Sequence, residues 1–187
     1  MPISCPPLVT AALAERATSS RPVPHAQAPA PERVAFVVFS GELDKLMAAF
    51  TMATGAAACG MDVTMFFTFW GTALLRAPAT PPARRTWTER LLGWMVPGGL
   101  GGARLSRLHM GGLGRWMMVR EMRRKRIPTL DELVALARES GVRLAVCDTS
   151  LALMGMRRED LIDSAEIEVC GVATLWGRAA GGQTIFV

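Results

Sequence analysis

The chain has 187 residues, half of them hydrophobic, and a formal net charge of +5. That length suits one domain with an appendage, and the apolar fraction is enough to build a core. Its four cysteines and two histidines show no C-x-x-C spacing and no histidine beside a cysteine, which argues against a structural metal site.

Residues 1–32 are rich in Pro, Ala and Ser and hold no aromatic residue. Such a stretch buries too little apolar surface to repay ordering, so a disordered tail is expected there, with no role for its Cys5. It lacks the basic start and apolar run of a secretory leader, so the expected setting is a reducing cytoplasm with free thiols. Order is expected from residue 33 to residue 187.

"RVAFVVFSG", from Arg33, is a β-branched apolar run ending in Ser-Gly, the pattern of a strand covered on both faces. Leu43, Leu46, Met47, Phe50 and Ala53 then recur at helical spacing, which predicts an amphipathic helix over 42–58 that stops at Gly60. "DVTMFFTFWG" supplies a second strand over 62–69. A β-α-β unit of this kind implies parallel strands with a right-handed crossover.

Residues 78–126 break the rhythm with "PATPPARRT" and a stretch where Gly, Met, Trp and Arg interleave. The apolar run over 91–103 is interrupted by Pro97 and by glycines, and it falls short of the roughly 20 residues of a spanning helix. An inserted helical hairpin covering a neighbouring subunit is the preferred reading. An interfacial helix resting on a membrane surface is the other. Arg115, Arg120, Arg123, Arg124, Lys125 and Arg126 read as a solvated helix face. With Trp94 and Trp116 nearby they still match no nucleic-acid reader motif, so no nucleic-acid partner is expected.

"TLDE" at 129–132 is a capping box, followed by a helix whose buried stripe is Leu130, Leu133, Val134 and Ala137. "VRLAVC" is a third strand, "RREDLIDS" a short helix, "IEVCGVATLW" a fourth strand and "QTIFV" a short fifth. The sum is an α/β fold: a three-layer sandwich with a mostly parallel sheet of about five strands, plus the inserted hairpin. Sites in such sheets lie beyond the carboxyl ends of the strands.

Cys147 stands at one of those ends. Two readings are open. It can be a reactive thiol, activated by free amides at the start of a helix and by hydroxyl donors at Thr149 and Ser150. It can equally be a small buried hydrophobe. Asp148 opposes the first reading if its carboxylate faces the sulfur, unless it turns to cap the following turn. Cys59 and Cys170 both read as structural. No hydrolase triad can be assembled from His25 and His109, and "GGLGG" follows no strand, so no nucleotide cofactor is expected.

"RVAFVVFSGELDKLMAAFTMATGAAACGMDVTMFFTFWG" and "VCDTSLALMGMRREDLIDSAEIEVCGVATL" resemble the DsrE/DsrF-like sulfur-relay family, in its larger branch often labelled peroxiredoxin-like. The most specific pieces are "FFTFWG" and the C-x-x-S-x-x-x-M-G stretch from Cys147 to Gly155. The resemblance implies an oligomeric α/β sandwich that takes sulfane sulfur on a cysteine as a persulfide and hands it to an acceptor thiol. It places that cysteine at Cys147, whose thiolate Ser150 and the nearby amides would then stabilise. Its implied partners are a rhodanese-like sulfur donor and a TusA-type sulfur carrier. A thiol peroxidase would need a resolving thiol, which Cys170 could supply only if the sheet brought it beside Cys147. The alternative to sulfur transfer is a non-enzymatic oligomeric module that binds a partner protein or a membrane surface through residues 78–126.

Overall fold

The computed structural model describes residues 32–77, 99–103, 105–106 and 113–187. The tail expected over 1–32, save Glu32, lies outside them, as do Cys5, His25, His109 and much of the inserted segment.

Five strands form one sheet: β1 (Arg33–Val38), β2 (Asp62–Phe67), β3 (Arg143–Cys147), β4 (Glu168–Cys170) and β5 (Gln183–Phe186). The strand order is β4-β3-β2-β1-β5, and every pairing is parallel. The described helices are α1 (Leu43–Ala58), α2 (Trp70–Leu74), α3 (Leu113–Lys125), α4 (Leu130–Glu139), α5 (Asp148–Leu153) and α6 (Val172–Ala179). The expected three-layer α/β sandwich is therefore present, with a sheet that is wholly parallel.

The strand order explains how the layers are filled. From β1 through β4 the chain always steps the same way across the sheet, and right-handed crossovers put all of those helices on one face. Only the return from β4 to β5 runs the other way, so among the described helices only α6 lies on the second face. The side chains agree. Val34, Phe36 and Val38, with Val63, Met65, Phe67, Leu144 and Val146, pack against α1 and α4 in the main core. Ala35, Phe66, Ala145 and Cys147 alternate to the other face and meet Leu175 and Ala179 of α6.

The main core is dense: Phe50 of α1 and Phe67 of β2 are fully buried with ring centroids 6.1 Å apart. Each such aromatic contributes on the order of 1.5–3 kcal/mol by leaving water. The second face is thinner, and its small residues Ala35 and Ala145 leave room for one helix to approach. The capping box at α4 is present as read, with the Glu132 amide donating to Thr129 Oγ1 and the Thr129 amide donating to Glu132 Oε2 at 2.7 Å.

Two expectations are corrected. The run over 167–176 is not one strand. It is the three-residue β4, an N-cap at Gly171, and then α6. Short apolar runs fit both periods, and here Leu175 and Ala179, four apart, supply a buried helical stripe while Val172 and Trp176 stay exposed. "RREDLIDS" is not a helix beyond a single 3-10 turn over Arg158–Asp160, which the Asp160 carboxylate closes by accepting the Arg157 amide at 2.9 Å.

The described part of the insertion lies against this chain's own core. Ala103 and Met122 are buried, and Leu100, Leu105 and Met118 pack on the main cluster. Ser106 donates from its amide and its hydroxyl to Asp44 of α1. One helix of the expected hairpin, α3, is among the described residues. Among those residues no helix is long and apolar enough to cross a membrane.

Candidate functional site

Cys147 is the last residue of β3 and the N-cap of α5, with φ −65° and ψ 120°. The carboxyl end of the sheet is thus where the chain carries its buried thiol. Cys147 is 4% exposed and sits in the α6-side cluster among Ala35, Phe66, Ala145 and Leu175. The β3 alternation decides this placement: Leu144 and Val146 go to the main core, so Cys147 goes to the thin face.

Ser150 lies in the first turn of α5 and is 2% exposed. Its hydroxyl oxygen is 2.8 Å from that of Thr68, the residue that follows β2. The bond pins α5 to the end of the neighbouring strand. Two hydroxyls sharing one hydrogen bond leave the accepting partner with its own proton to donate elsewhere.

Asp148 turns toward its own helix. Its Oδ1 accepts the Thr149 amide at 2.6 Å and the Thr149 hydroxyl at 3.1 Å. One of the amides expected to serve the sulfur is therefore taken. The helix that follows is also only six residues long, which limits its dipole. The other carboxylate oxygen, Oδ2, reaches toward Gly171, where an added Cβ would stand 3.6 Å from it.

From the sequence, Cys170 reads as structural, with a resolving role open only if the sheet brings it beside Cys147. Cys170 is not an interior strand residue but the last residue of β4, directly in register with Cys147 on the adjacent parallel strand. In-register residues of a parallel pair project to the same face, and Cys170 packs on the same small cluster as Cys147. Both thiols are free. Burial raises the Cys170 thiol above the ordinary cysteine range, and the Glu168 carboxylate adds to the rise while Arg178 opposes it. Arg178 of α6 grips Glu168 of β4 with two contacts, at 2.6 and 2.8 Å, which clamps α6 to the edge strand. A signal was there to be read: each of the two cysteines ends an apolar run and is followed by a helix start.

Cys59 is exposed at the C-cap of α1, before β2 begins, so it lies at the opposite end of the sheet from Cys147 and is not the packed residue that was expected. Phe69 and Trp70 follow β2 at the same end as the cysteine pair. Both are exposed, at 42% and 47%. Phe69 also takes φ 45°, a left-handed conformation uncommon for an aromatic residue. Among the described residues no three His, Cys, Asp or Glu side chains gather as metal ligands.

A family model described as DsrE/DsrF/DrsH-like matches residues 30–186. The chain is 36% identical over 152 residues to the protein called "Uncharacterized protein YrkE" of Bacillus subtilis, covering 81% of this chain and 94% of that one. It is 28% identical over 148 residues to the "Sulfur carrier protein DsrE2" of Allochromatium vinosum, covering 72% of this chain and 86% of that one.

Proposed function

Because the chain belongs to the DsrE/DsrF/DrsH-like family, we propose that it is a sulfur-relay protein that carries sulfane sulfur as a persulfide on Cys147. A relative at 28% identity bears the name of a sulfur carrier, which supports the class of activity. The observation that carries the assignment to Cys147 is its place as the last residue of β3, at the carboxyl end of a parallel sheet and inside the family-matched region.

The chemistry is a thiol–persulfide exchange. The Cys147 thiolate attacks the outer sulfur of a donor persulfide, and the donor leaves as a thiolate that takes up a proton. An acceptor thiolate then attacks the same outer sulfur, and Cys147 is the leaving group. The Thr68–Ser150 bond holds the first turn of α5 that follows Cys147, and burial among apolar residues shields the persulfide from water. A rhodanese-like protein is the donor in this reading and a TusA-type carrier the acceptor, with the working form a homo-oligomer.

The test is to expose the protein to inorganic polysulfide and map sulfur addition by peptide mass. Cys147 gains one sulfur, and Cys147→Ser abolishes it. Loading confined to Cys59 would refute the assignment.

A second reading is favoured by the surface of α3. Leu113, Trp116 and Met117 are half or more exposed, beside Arg120, Arg123, Arg124 and Lys125, and Arg120 lies over the Trp116 ring at 5.5 Å. That face suits an anionic bilayer surface. Flotation with anionic vesicles, lost in a Trp116→Ser/Met117→Ser variant, supports it, and no flotation rejects it.

A further inference from the structure

The relay site has two thiols, and they differ in access. Cys147 is almost closed off, walled by Phe66 and Leu175. Cys170 is partly exposed and ends β4, the edge strand of the sheet. An incoming protein thiol must reach within bonding distance of the sulfur it attacks, and the edge position offers that approach more readily than the buried one.

We propose that Cys170 is a second sulfur station, through which sulfane sulfur on buried Cys147 passes to thiols outside the protein. This rests on the sulfur-relay reading above. In the step, the Cys170 thiolate attacks the outer sulfur of the Cys147 persulfide. The bond from that sulfur to Cys170 Sγ forms as its bond to Cys147 Sγ breaks, and the electron pair stays on Cys147. The proton given up by Cys170 ends on Cys147. Nothing is oxidised or reduced overall, so the exchange needs no co-reactant.

The sheet register sets the two residues side by side on adjacent strands. Neighbouring strands lie about 4.8 Å apart. A sulfur atom in flight between two thiols needs two stretched bonds, each longer than about 2.05 Å, a reach open to side chains on adjacent strands. The clamp of Arg178 on Glu168 holds the end of β4 beside β3. Gly171 leaves the space beside Asp148 open just past Cys170.

The full chain is loaded with inorganic polysulfide as wild type, Cys170→Ser, Cys170→Ala and Cys147→Ser. Each is then discharged either to cyanide, a small acceptor, or to thiol-derivatised agarose beads, a bulky one. The wild type shows sulfur on both cysteines by peptide mapping. Both Cys170 variants load Cys147 and discharge to cyanide at the wild-type rate, but discharge to the beads slows by about tenfold or more, as expected where access limits exchange. Equal discharge to the beads, with Cys147 loaded, overturns the second station and leaves the relay reading intact. So does sulfide release with a Cys147–Cys170 disulfide in place of the persulfide. If Cys147 takes up no sulfur in any form, both readings fall.

Discussion

The hydroxyl oxygens of Thr68 and Ser150, 82 positions apart in the chain, lie 2.8 Å from each other and join the end of β2 to the first turn of α5. Ser150 is buried, so Ser150→Ala leaves the Thr68 hydroxyl short of its partner. The expected loss is about 1 kcal/mol in urea unfolding. The double variant Thr68→Val/Ser150→Ala costs less than the sum of the two singles, because they remove one shared bond. If the two singles add, the pair is not coupled.

Two glycines behave oppositely on replacement by alanine. A Cβ on Gly71 would press into the Val38 backbone carbonyl, where β1 and α2 nearly touch. Gly71→Ala must push α2 away and lowers the melting temperature by several degrees. Gly55 lies inside α1 with open space around it, so Gly55→Ala gains about 0.4–1 kcal/mol through helix propensity and a less free unfolded chain. Differential scanning calorimetry of the two variants checks both signs.

The Cys170 thiol is held up by burial and then by Glu168. Its folded-state ionisation therefore lies above the free-thiol value of about 8.5. The stability linked to it is fully present below the unfolded pKa and is lost as pH rises through the folded one. Thiolate absorbance of a Cys5→Ser/Cys59→Ser/Cys147→Ser variant is expected to rise later than that of free cysteine. Glu168→Gln moves the curve back toward lower pH. An unmoved curve would show that Glu168 does not act on this thiol.

At α4 the sign reverses. The Thr129 amide and then its hydroxyl hold the Glu132 carboxyl below its usual range. That contribution is present above the unfolded carboxyl pKa and is lost as pH falls through the folded one. Thr129→Ala removes the N-cap, costs about 1 kcal/mol at neutral pH, and flattens the acid limb of the stability profile. Guanidinium titrations at pH 7 and pH 3 measure the hydroxyl's share, since the Thr129 amide stays in the variant, and an equal loss at both would exclude that share.

Much of the architecture is written in local pattern. Alternation in "RVAFVV" and "DVTMFF", helical spacing from Leu43 to Ala53 and the Thr129 capping box each need only a few neighbouring residues to act. Those residues stood in the structure as the sequence implies. The end of β3 at Cys147 was legible for the same reason, since a polar turn follows an apolar run at once.

What the sequence by itself determined was a parallel α/β sheet with a cysteine at the carboxyl end of one strand, because period and turn chemistry are local. Tertiary structure alone decided what stands beside that cysteine. Strand order is settled by pairing between distant segments, and it put Cys170 in register with Cys147. The reversed step from β4 to β5 sent "VATLWGRA" across the second face, where burial of Leu175 and Ala179 chose helix over strand. The direction of Asp148, toward Thr149, depended on hydrogen bonds available only once α5 had formed. A single thiol at a strand end thereby became one of two, with the more open one on the edge of the sheet.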